Sequence, residues 1–164
     1  MTALAVSPPS GSRDFDFIHG SWTVHHRKLR KRLVGDDVWD EFDGTMNARA
    51  ILAGGGNFDE NVLNDPQGTY RACTVRMFDP SSALWMIYWI DGRHPRPDPP
   101  VVGSFMSGRG VFVGNDVIDE RKILIRFIWS EIAGNAARWE QAFSIDEGNM
   151  WETNWIMNFA RQQA

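Results

Sequence analysis

Residues 101–131, VVGSFMSGRGVFVGNDVIDERKILIRFIWSE, contain three short apolar segments separated by turn-forming residues. The turns are S-G-R-G (107–110) and the polar residues within G-N-D-V-I-D-E-R (114–121), and the segments between them are rich in Val, Ile and Phe. β-Branched and aromatic residues favour strands, whereas Gly, Asn and Asp favour tight turns. The stretch therefore predicts three consecutive antiparallel strands.

Similar turn signals recur roughly every eight to twelve residues along the chain, which is typical of an all-β sandwich or barrel. The predicted strands are 20–33, 37–51, 56–63, 69–78, 84–91, 101–107, 109–115, 122–131, 136–145 and 150–161. Short connections favour pairing of each strand with the next, and closure removes exposed sheet edges. We therefore predict an all-β fold, a closed up-and-down antiparallel barrel of about ten strands, with an open sandwich as the alternative.

The domain organisation follows from the length of 164 residues, which suits a single domain. Residues 1–13 are predicted to form a disordered tail, and residues 14–164 are predicted to form one barrel domain. Within the latter, 14–19 predict a short helical turn that plugs one end of the barrel. The loop 91–100 carries four prolines, which predict that no ladder pairing occurs inside it. This loop is expected to be either a rim over a cavity or a surface crossover.

The amino-acid composition limits the range of functions that the chain can have. Eight Trp and ten Phe indicate a large core, an aromatic cavity, or both, because each indole needs burial and a hydrogen-bond partner. A net charge of −4 argues against a nucleic-acid partner. The basic run 25–32 is interpreted as a solvated strand face and turn, with an anion or nucleic-acid site as the alternative. Cys73 is the single cysteine, and no secretory signal or apolar membrane run is present, so a cytoplasmic location is expected.

Two predicted strands are apolar on both faces, 84–90 and 122–129. A barrel strand needs only one apolar face, and apolar surface left in water forgoes about 25 cal/mol per Å². The outer faces of these strands are therefore expected to be covered. A homodimer packed through them is the preferred explanation, and cover by the N-terminal segment is the alternative.

The segment D-F-D-F-I-H-G-S-W (14–22) resembles the opening of the bacterial family catalogued as domain of unknown function 1579, whose members are lipocalin-like. Further segments that resemble this family are W-D-E-F-D-G (39–44), G-N-F-D-E-N-V (56–62), Y-R-A-C-T-V-R-M-F-D-P (70–80), W-I-D-G-R (89–93), D-P-P-V-V-G-S-F (98–105), R-W-E-Q-A-F-S (138–144) and W-E-T-N-W (151–155). The resemblance implies a lipocalin-like barrel of the calycin superfamily in a bacterial protein. It implies no activity, because the family has no settled function.

Gly20, Ser21 and Trp22 are similar to the G-x-W pattern at the start of the first calycin strand. The resemblance implies that Trp22 packs under the closed end of the barrel against a cationic side chain near the last strand, where Arg161 stands. A guanidinium over an indole face gains about 0.5–2 kcal/mol. Gly20, Trp22 and Arg161 are therefore predicted to close the barrel rather than to bind a ligand.

The predicted function is binding of a small hydrophobic or aromatic ligand with a polar head group inside the barrel. Tyr88, Trp89 and Trp129 are the candidate wall contacts. The candidate polar contacts are Arg76, Arg126, Arg138 and Glu140, where an arginine would hold a polar or acidic head group. Strand periodicity shows which residues share a face but not which face is inner.

Two alternatives remain open at this stage. One is an enzyme that acts on a small molecule through buried carboxylate and arginine pairs, with the carboxylates drawn from Glu41, Asp43, Glu140 and Glu152. The other is a haem-binding protein like the nitrobindins, whose haem is held by a histidine near the C-terminal strands. This chain departs from that pattern, since its histidines are His19, His25, His26 and His94. No catalytic residue, metal or cofactor is expected.

Overall fold

The structure is a computed structural model and describes residues 10–163. Within this range, eleven strands follow one another with short connections. They are β1 (Gly20–Leu29), β2 (Trp39–Ile51), β3 (Gly56–Leu63), β4 (Tyr70–Asp79), β5 (Leu84–Asp91), β6 (His94–Pro97), β7 (Val101–Met106), β8 (Arg109–Ile118), β9 (Arg121–Ser130), β10 (Ala136–Ser144) and β11 (Glu152–Arg161). Two single turns of 3-10 helix, Asp16–Ile18 and Leu52–Gly54, complete the described elements.

Ten of these strands form a closed barrel. Each strand pairs antiparallel with the next along the chain, β5 pairs with β7, and β1 pairs with β11 to close the cylinder. In the closing pair, Trp22 lies opposite Arg161 and Lys28 lies opposite Trp155. The predicted closed up-and-down barrel is confirmed, and an open sandwich is excluded because the β1–β11 ladder leaves the ten-stranded ring without an edge.

The exception to the meander is β6, which lies within the proline-rich loop. Its Pro97 pairs with Ile90, and its His94 pairs with Asp91. The prediction that this loop contains no ladder pairing is therefore wrong. Proline lacks an N–H but keeps its carbonyl, so it is tolerated on a strand that has a neighbour on one side only. The N–H of Asp98 also donates to the carbonyl of Trp89 at 2.8 Å, which holds the loop against β5.

Alternation along the strands directs one set of side chains into the barrel. On β4, for example, Tyr70, Ala72, Thr74 and Arg76 are buried, and the residues between them are more exposed. This is the period of two expected for a strand with a core face and a solvent face. The inward sets of all ten strands together form one aromatic-rich core.

The N-terminal turn plugs one end of the barrel, as predicted for 14–19. Phe15 and Ile18 are each 1% exposed. The Phe15 ring lies 5.0 Å from the Trp85 ring and 4.8 Å from the Phe105 ring, both in edge-to-face geometry. Such pairs add about 0.5–1.5 kcal/mol to the gain from burial. The plug therefore belongs to the core and seals the end of the barrel.

Arg161 ties the plug to the strands. Its guanidinium carbon lies 4.1 Å from the centre of the Trp22 ring. Its Nη1 donates to the carbonyl of His19 at 2.5 Å, and its Nη2 donates to the carbonyl of Phe17 at 2.6 Å. Gly20 has a φ of +109°, and a Cβ at that position would lie 2.8 Å from Nη1 of Arg161. The three residues predicted to close the barrel therefore lie together at its plugged end.

The predicted disordered tail, residues 1–13, falls largely outside the described residues, which begin at residue 10. Residues 10–13 form a turn in which Ser12 is 7% exposed. The indole N–H of Trp85 donates to the carbonyl of Gly11 at 3.0 Å. Residues 10–13 are thus packed against the barrel domain predicted to start at residue 14. Within residues 10–163 no helix has the length and apolar character needed to cross a bilayer.

The outer faces of the two doubly apolar strands are covered to different degrees. On β9, the β10–β11 connection lies close by, with Arg126 stacked 4.2 Å from the Trp151 ring and Leu124 beside Gly148. The outer residues of β5, which include Met86 and Tyr88, are half-buried. The described part of the N-terminal segment packs at the barrel end, where Phe15 and Ile18 enter the core.

Candidate functional site

A cavity of about 340 Å³ occupies the end of the barrel opposite the plug. Strand ends that meet there bring both apolar and charged side chains to the same space. The apolar wall consists of Ile87, Trp89, Val101, Ile118, Ile125, Phe127, Trp139, Phe143 and Trp155, with Pro99 at the rim. The polar residues are Lys28, Arg32, Tyr70, Asp91, Arg93, His94, Asp98, Asp116 and Gln141.

The aromatic wall is built from rings that brace one another. Trp155 lies 5.7 Å from Trp89 and 5.7 Å from Trp139, and both pairs are close to perpendicular. Phe127 packs 4.8 Å from Trp139. Each ring comes from a different strand, because alternation places one inward residue of β5, β9, β10 and β11 at this level. The wall is therefore a preformed apolar surface that presents ring edges and faces to the cavity.

His26 supports this wall from the β1 side. It is 1% exposed, stacks 4.7 Å from the Phe42 ring, and accepts a hydrogen bond at Nδ1 from the indole N–H of Trp155 at 3.2 Å. Burial, together with the nearby positive charge of Lys28, lowers the pKa of His26 to about 3. An indole N–H only donates, so His26 is neutral with its proton on Nε2. Its contact with Trp155 makes it a positioning residue for the wall.

A smaller pocket of about 30 Å³ lies deeper in the barrel and shares Ile87, Trp89, Phe127 and Trp139 with the cavity above. At its side, Arg76 and Asp59 form an ion pair with 2.5 Å between Nη1 and Oδ2, and they are 4% and 0% exposed. The same Nη1 donates to Asn57 at 2.9 Å, and the Asn61 amide donates to Asp59 at 2.6 Å. Good geometry and extra hydrogen bonds compensate the desolvation of such a pair.

Two buried donors of the deep pocket have no hydrogen-bond partner among the described residues. They are Nε of Arg76 and Nε1 of Trp129, and both residues line the pocket. A pocket of about this size holds one water-sized group. The deep pocket therefore suits an uncharged acceptor oxygen, since Asp59 already neutralises the charge of Arg76.

The cavity mouth carries cations along one side. Lys28 points inward from β1, with Nζ 4.6 Å from the Trp155 ring and 3.6 Å from Asp65. Burial lowers the pKa of Lys28, and the nearby Arg32 lowers it further. Arg93 stacks 3.5 Å from the Tyr70 ring. It also pairs with Asp91 at 2.7 Å, so its charge is compensated.

Arg32 differs from the other two cations in lacking a carboxylate partner. It is half-buried in the β1–β2 connection, and its guanidinium carbon lies 5.4 Å from the Phe143 ring. Among the described residues it makes no ion pair within 4.0 Å. Burial lowers its pKa, whereas Glu152 and Asp98, both beyond ion-pair distance, favour its charged form.

Carboxylates also occupy the rim of the cavity. Asp98 lies on the exposed proline-rich loop, and Asp116 lies near the end of β8. Partial burial raises the pKa of the Asp98 carboxyl, and repulsion from Asp116 and Asp91 raises it further. The mouth therefore carries both cations and carboxylates, and Asp98 lies near enough to Arg32 for their charges to interact. The proline-rich loop forms part of this rim, which is the first of the two roles expected for it.

Three of the predicted ligand-binding residues face the interior. Trp89 lines the upper cavity and the deep pocket, whereas Arg76 and Trp129 line the deep pocket. Arg76 is not available to hold an acidic head group, because Asp59 pairs with it.

The other four predicted ligand-binding residues face outward, so their assignment to the interior is wrong. Tyr88 follows the inward Ile87 and precedes the inward Trp89, and Arg126 stacks on Trp151 outside the barrel. Arg138 donates to Asn158 at 3.3 Å and to Glu140 at 3.4 Å on the outer face of β10. The physical reason is strand alternation, because each residue adjoins an inward neighbour.

The carboxylates proposed for an enzyme also lie away from the cavity. Asp43 and Glu41 project from the outer face of β2 and contact His25 at 2.8 Å and 3.4 Å. Glu152 accepts the backbone N–H of Leu33 at 2.9 Å. The buried carboxylate and arginine pair that does occur is Asp59 with Arg76.

The histidines considered for haem lie in four different settings. His94 is exposed at the rim, His26 is committed to Trp155, His25 is on the outer face, and His19 follows the plug. In the described part of the chain, no three His, Cys, Asp or Glu side chains are grouped so as to hold a metal ion.

Sequence reasoning did not identify the three cations of the mouth as ligand-binding residues. They are Lys28, Arg32 and Arg93. The sequence signal for Lys28 and Arg32 is the basic run 25–32, for which an anion site is the alternative interpretation. Lys28 shares the parity of the buried Trp22 on β1, which places it inside the barrel. Arg32 lies beyond the end of β1, where parity gives no direction.

The chain matches no protein-family model, and a search of curated proteins found no matching relative. The resemblance to family 1579 stays an expectation from the sequence.

Proposed function

We propose that the protein binds a small apolar or aromatic molecule with a polar head group in the cavity at the open end of the barrel. The observation that carries this proposal is the cavity itself, about 340 Å³ in volume and walled by Trp89, Trp139 and Trp155. Ligand pockets typically measure about 300–1,000 Å³ and combine apolar walls with a few polar groups. The cavity has both features.

The apolar part of such a ligand would lie against the aromatic wall. Burial of about 200 Å² of apolar surface at about 25 cal/mol per Å² provides about 5 kcal/mol before the costs of association. The edge-to-face contacts within the wall hold the rings in place before a ligand arrives, which reduces the ordering cost. The polar head would then remain at the charged mouth.

A titration of intrinsic tryptophan fluorescence with 2-naphthoic acid tests the proposal. The wild-type chain is expected to bind this probe, and Ile125→Trp, which fills the cavity, is expected to weaken binding about ten-fold or more. Val113→Trp on the outer face of the adjacent strand β8 is the matched control and should bind as the wild type does. Absence of binding by the wild type, or equal binding by Ile125→Trp, would overturn the proposal.

We also propose a homodimer formed through the outer face of β5. Its outward residues Leu84, Met86, Tyr88 and Ile90 are half-buried, so part of their apolar surface remains accessible to a second copy of the chain. Tyr88→Glu is expected to convert the dimer to a monomer, because it places a charge in the apolar contact. Sedimentation equilibrium of the two forms tests this, and a monomeric wild type would contradict it. A cytoplasmic location in a bacterium stays a proposal from the sequence.

A further inference from the structure

We propose that the ligand is an aromatic monocarboxylic acid, with its carboxylate bound between Arg32 and Lys28 at the cavity mouth and its ring system directed inward. This inference rests on the proposed function and adds the charge of the head group, its position and the orientation of the ligand. Arg32 is the main contact, and Lys28 is the second.

Arg32 is placed to bind a carboxylate at the mouth. It lines the cavity, is half-buried, and makes no ion pair within 4.0 Å among the described residues. The other arginines that line the two interior pockets are compensated, Arg76 by Asp59 and Arg93 by Asp91. A half-buried guanidinium without a direct ion pair loses solvation in the empty protein, and an anion that binds to it offsets that loss. Its planar fork also matches the two oxygens of a carboxylate.

Lys28 supplies the second cation. It is 18% exposed, and its ion pair with Asp65 is long, with 3.6 Å between the charged atoms. Arg32 lowers the pKa of Lys28, which shows that the two cations repel each other. A carboxylate between them would relieve that repulsion. Lys28 also lies on the Trp155 ring, so it marks the boundary between the charged mouth and the aromatic wall.

The carboxylates at the rim restrict the ligand to a single negative charge. Asp98 and Asp116 both line the mouth, and they would repel a dianion such as a phosphate monoester. They do not favour a cation to the same degree, because Asp98 lies on an exposed loop where solvent and salt screen its charge. Arg32 and Lys28 are more buried and are screened less.

The orientation of the ligand follows from the charges of the side chains inside the barrel. The deep pocket offers no uncompensated charge, because the positive charge of Arg76 is neutralised by Asp59. The space between that pocket and the mouth is bounded by Trp89, Phe127 and Trp139. A carboxylate placed there would lose its solvation without gaining a cationic partner. The ring system therefore lies inward and the acid lies at the mouth.

The test compares three probes of the same shape, 2-naphthoic acid, 2-naphthamide and 2-(aminomethyl)naphthalene, at pH 7 by tryptophan fluorescence. We expect the acid to bind the wild type about ten-fold or more tightly than the amide, as a charge-assisted contact would give. Arg32→Gln should reduce that preference to about three-fold or less, and Arg32→Lys should retain part of it. Arg109→Gln, which removes the same charge from an exposed site near the plugged end, should leave the preference unchanged.

The outcomes separate this inference from the function on which it rests. If none of the probes binds the wild type, the proposed function fails. If the acid and the amide bind equally, or if the amine binds most tightly, the cavity still binds ligands and the carboxylate inference is overturned. It is also overturned if Arg32→Gln, with an unchanged thermal melt, keeps the full preference for the acid.

Discussion

Each end of the barrel places an arginine beside an aromatic ring, but the two arginines have different roles. At the plugged end, Arg161 stacks on Trp22 and donates to the carbonyls of Phe17 and His19. At the open end, Arg32 lies 5.4 Å from the Phe143 ring and has no carboxylate partner among the described residues. A cation whose donors are occupied within the protein stabilises the fold. A cation whose donors are unoccupied beside a cavity is available to a ligand.

The largest expected effect distinguishes these two arginines by stability. Arg161→Gln should lower the free energy of unfolding by about 3 kcal/mol, because it removes three charge-assisted hydrogen bonds, to the carbonyls of Phe17, His19 and Gly134, and the contact with Trp22. Arg32→Gln should change it by about 0.5 kcal/mol or less. Urea unfolding followed by tryptophan fluorescence measures both. Equal losses in the two variants would remove the distinction between the ends.

A somewhat smaller effect is expected at the glycine of the plugged end. Gly20→Ala should cost about 2 kcal/mol, since its positive φ is strained for alanine and its Cβ would lie 2.8 Å from Arg161 Nη1. Gly35→Ala is the control, because Gly35 also has a positive φ but a Cβ there would meet nothing within 4 Å. The control should cost about 1 kcal/mol. Equal costs would mean that crowding by Arg161 has no weight.

The pH dependence of stability tests whether the wall of the open end is fixed by His26. The pKa of His26 is about 3 in the folded chain and about 6.5 in the unfolded chain, so the unfolded state binds one more proton between these values. Stability should therefore fall as pH falls below about 6.5, by up to about 1.4 kcal/mol per pH unit.

Comparison with His26→Gln isolates that contribution from those of the carboxylates. Between pH 6.5 and pH 5, urea unfolding of His26→Gln should show a shallower decline than the wild type. His94→Gln, at the exposed rim, should keep the wild-type decline. Parallel curves for the wild type and His26→Gln would contradict the buried neutral histidine.

The smallest expected effect concerns an outward arginine. Arg126→Gln should change the affinity for 2-naphthoic acid by about two-fold or less, because Arg126 stacks on Trp151 outside the barrel. Isothermal titration calorimetry of the two proteins measures this difference. A loss of about ten-fold would place Arg126 in the binding site and contradict the outward orientation.

Much of the fold could be predicted because turn chemistry is local. The strands 56–63 and 84–91 have the predicted bounds. Other strands have bounds that differ from the predicted ones, because strand pairing continues through polar residues that are typical of turns. Asn115 and Asp116 were predicted to form a turn, but they pair with Leu124 and Ile123. The β8–β9 hairpin turns at Asp119 and Glu120, within the predicted turn 118–121, and their left-handed backbone conformations suit a two-residue hairpin.

The interior site was predicted less well, because an apolar strand carries no sign of which face is inner. On β5 and β9 both faces are apolar, so Trp89 and Tyr88 were equally plausible wall residues although only Trp89 faces inward. Residue type alone suggests that an arginine anchors a polar group, whereas the decisive property is whether a carboxylate already pairs with it. That property depends on contacts between distant strands, as between Arg76 and Asp59.

The indole N–H resonances of the eight tryptophans give the most direct test, because they report on both ends of the barrel at once. Addition of 2-naphthoic acid to the ¹⁵N-labelled protein is expected to shift the signals of Trp89, Trp139 and Trp155, and to leave those of Trp22 and Trp151 in place. Shifts confined to Trp22 and Trp151, or no shifts at saturating acid, would contradict a binding cavity at the open end.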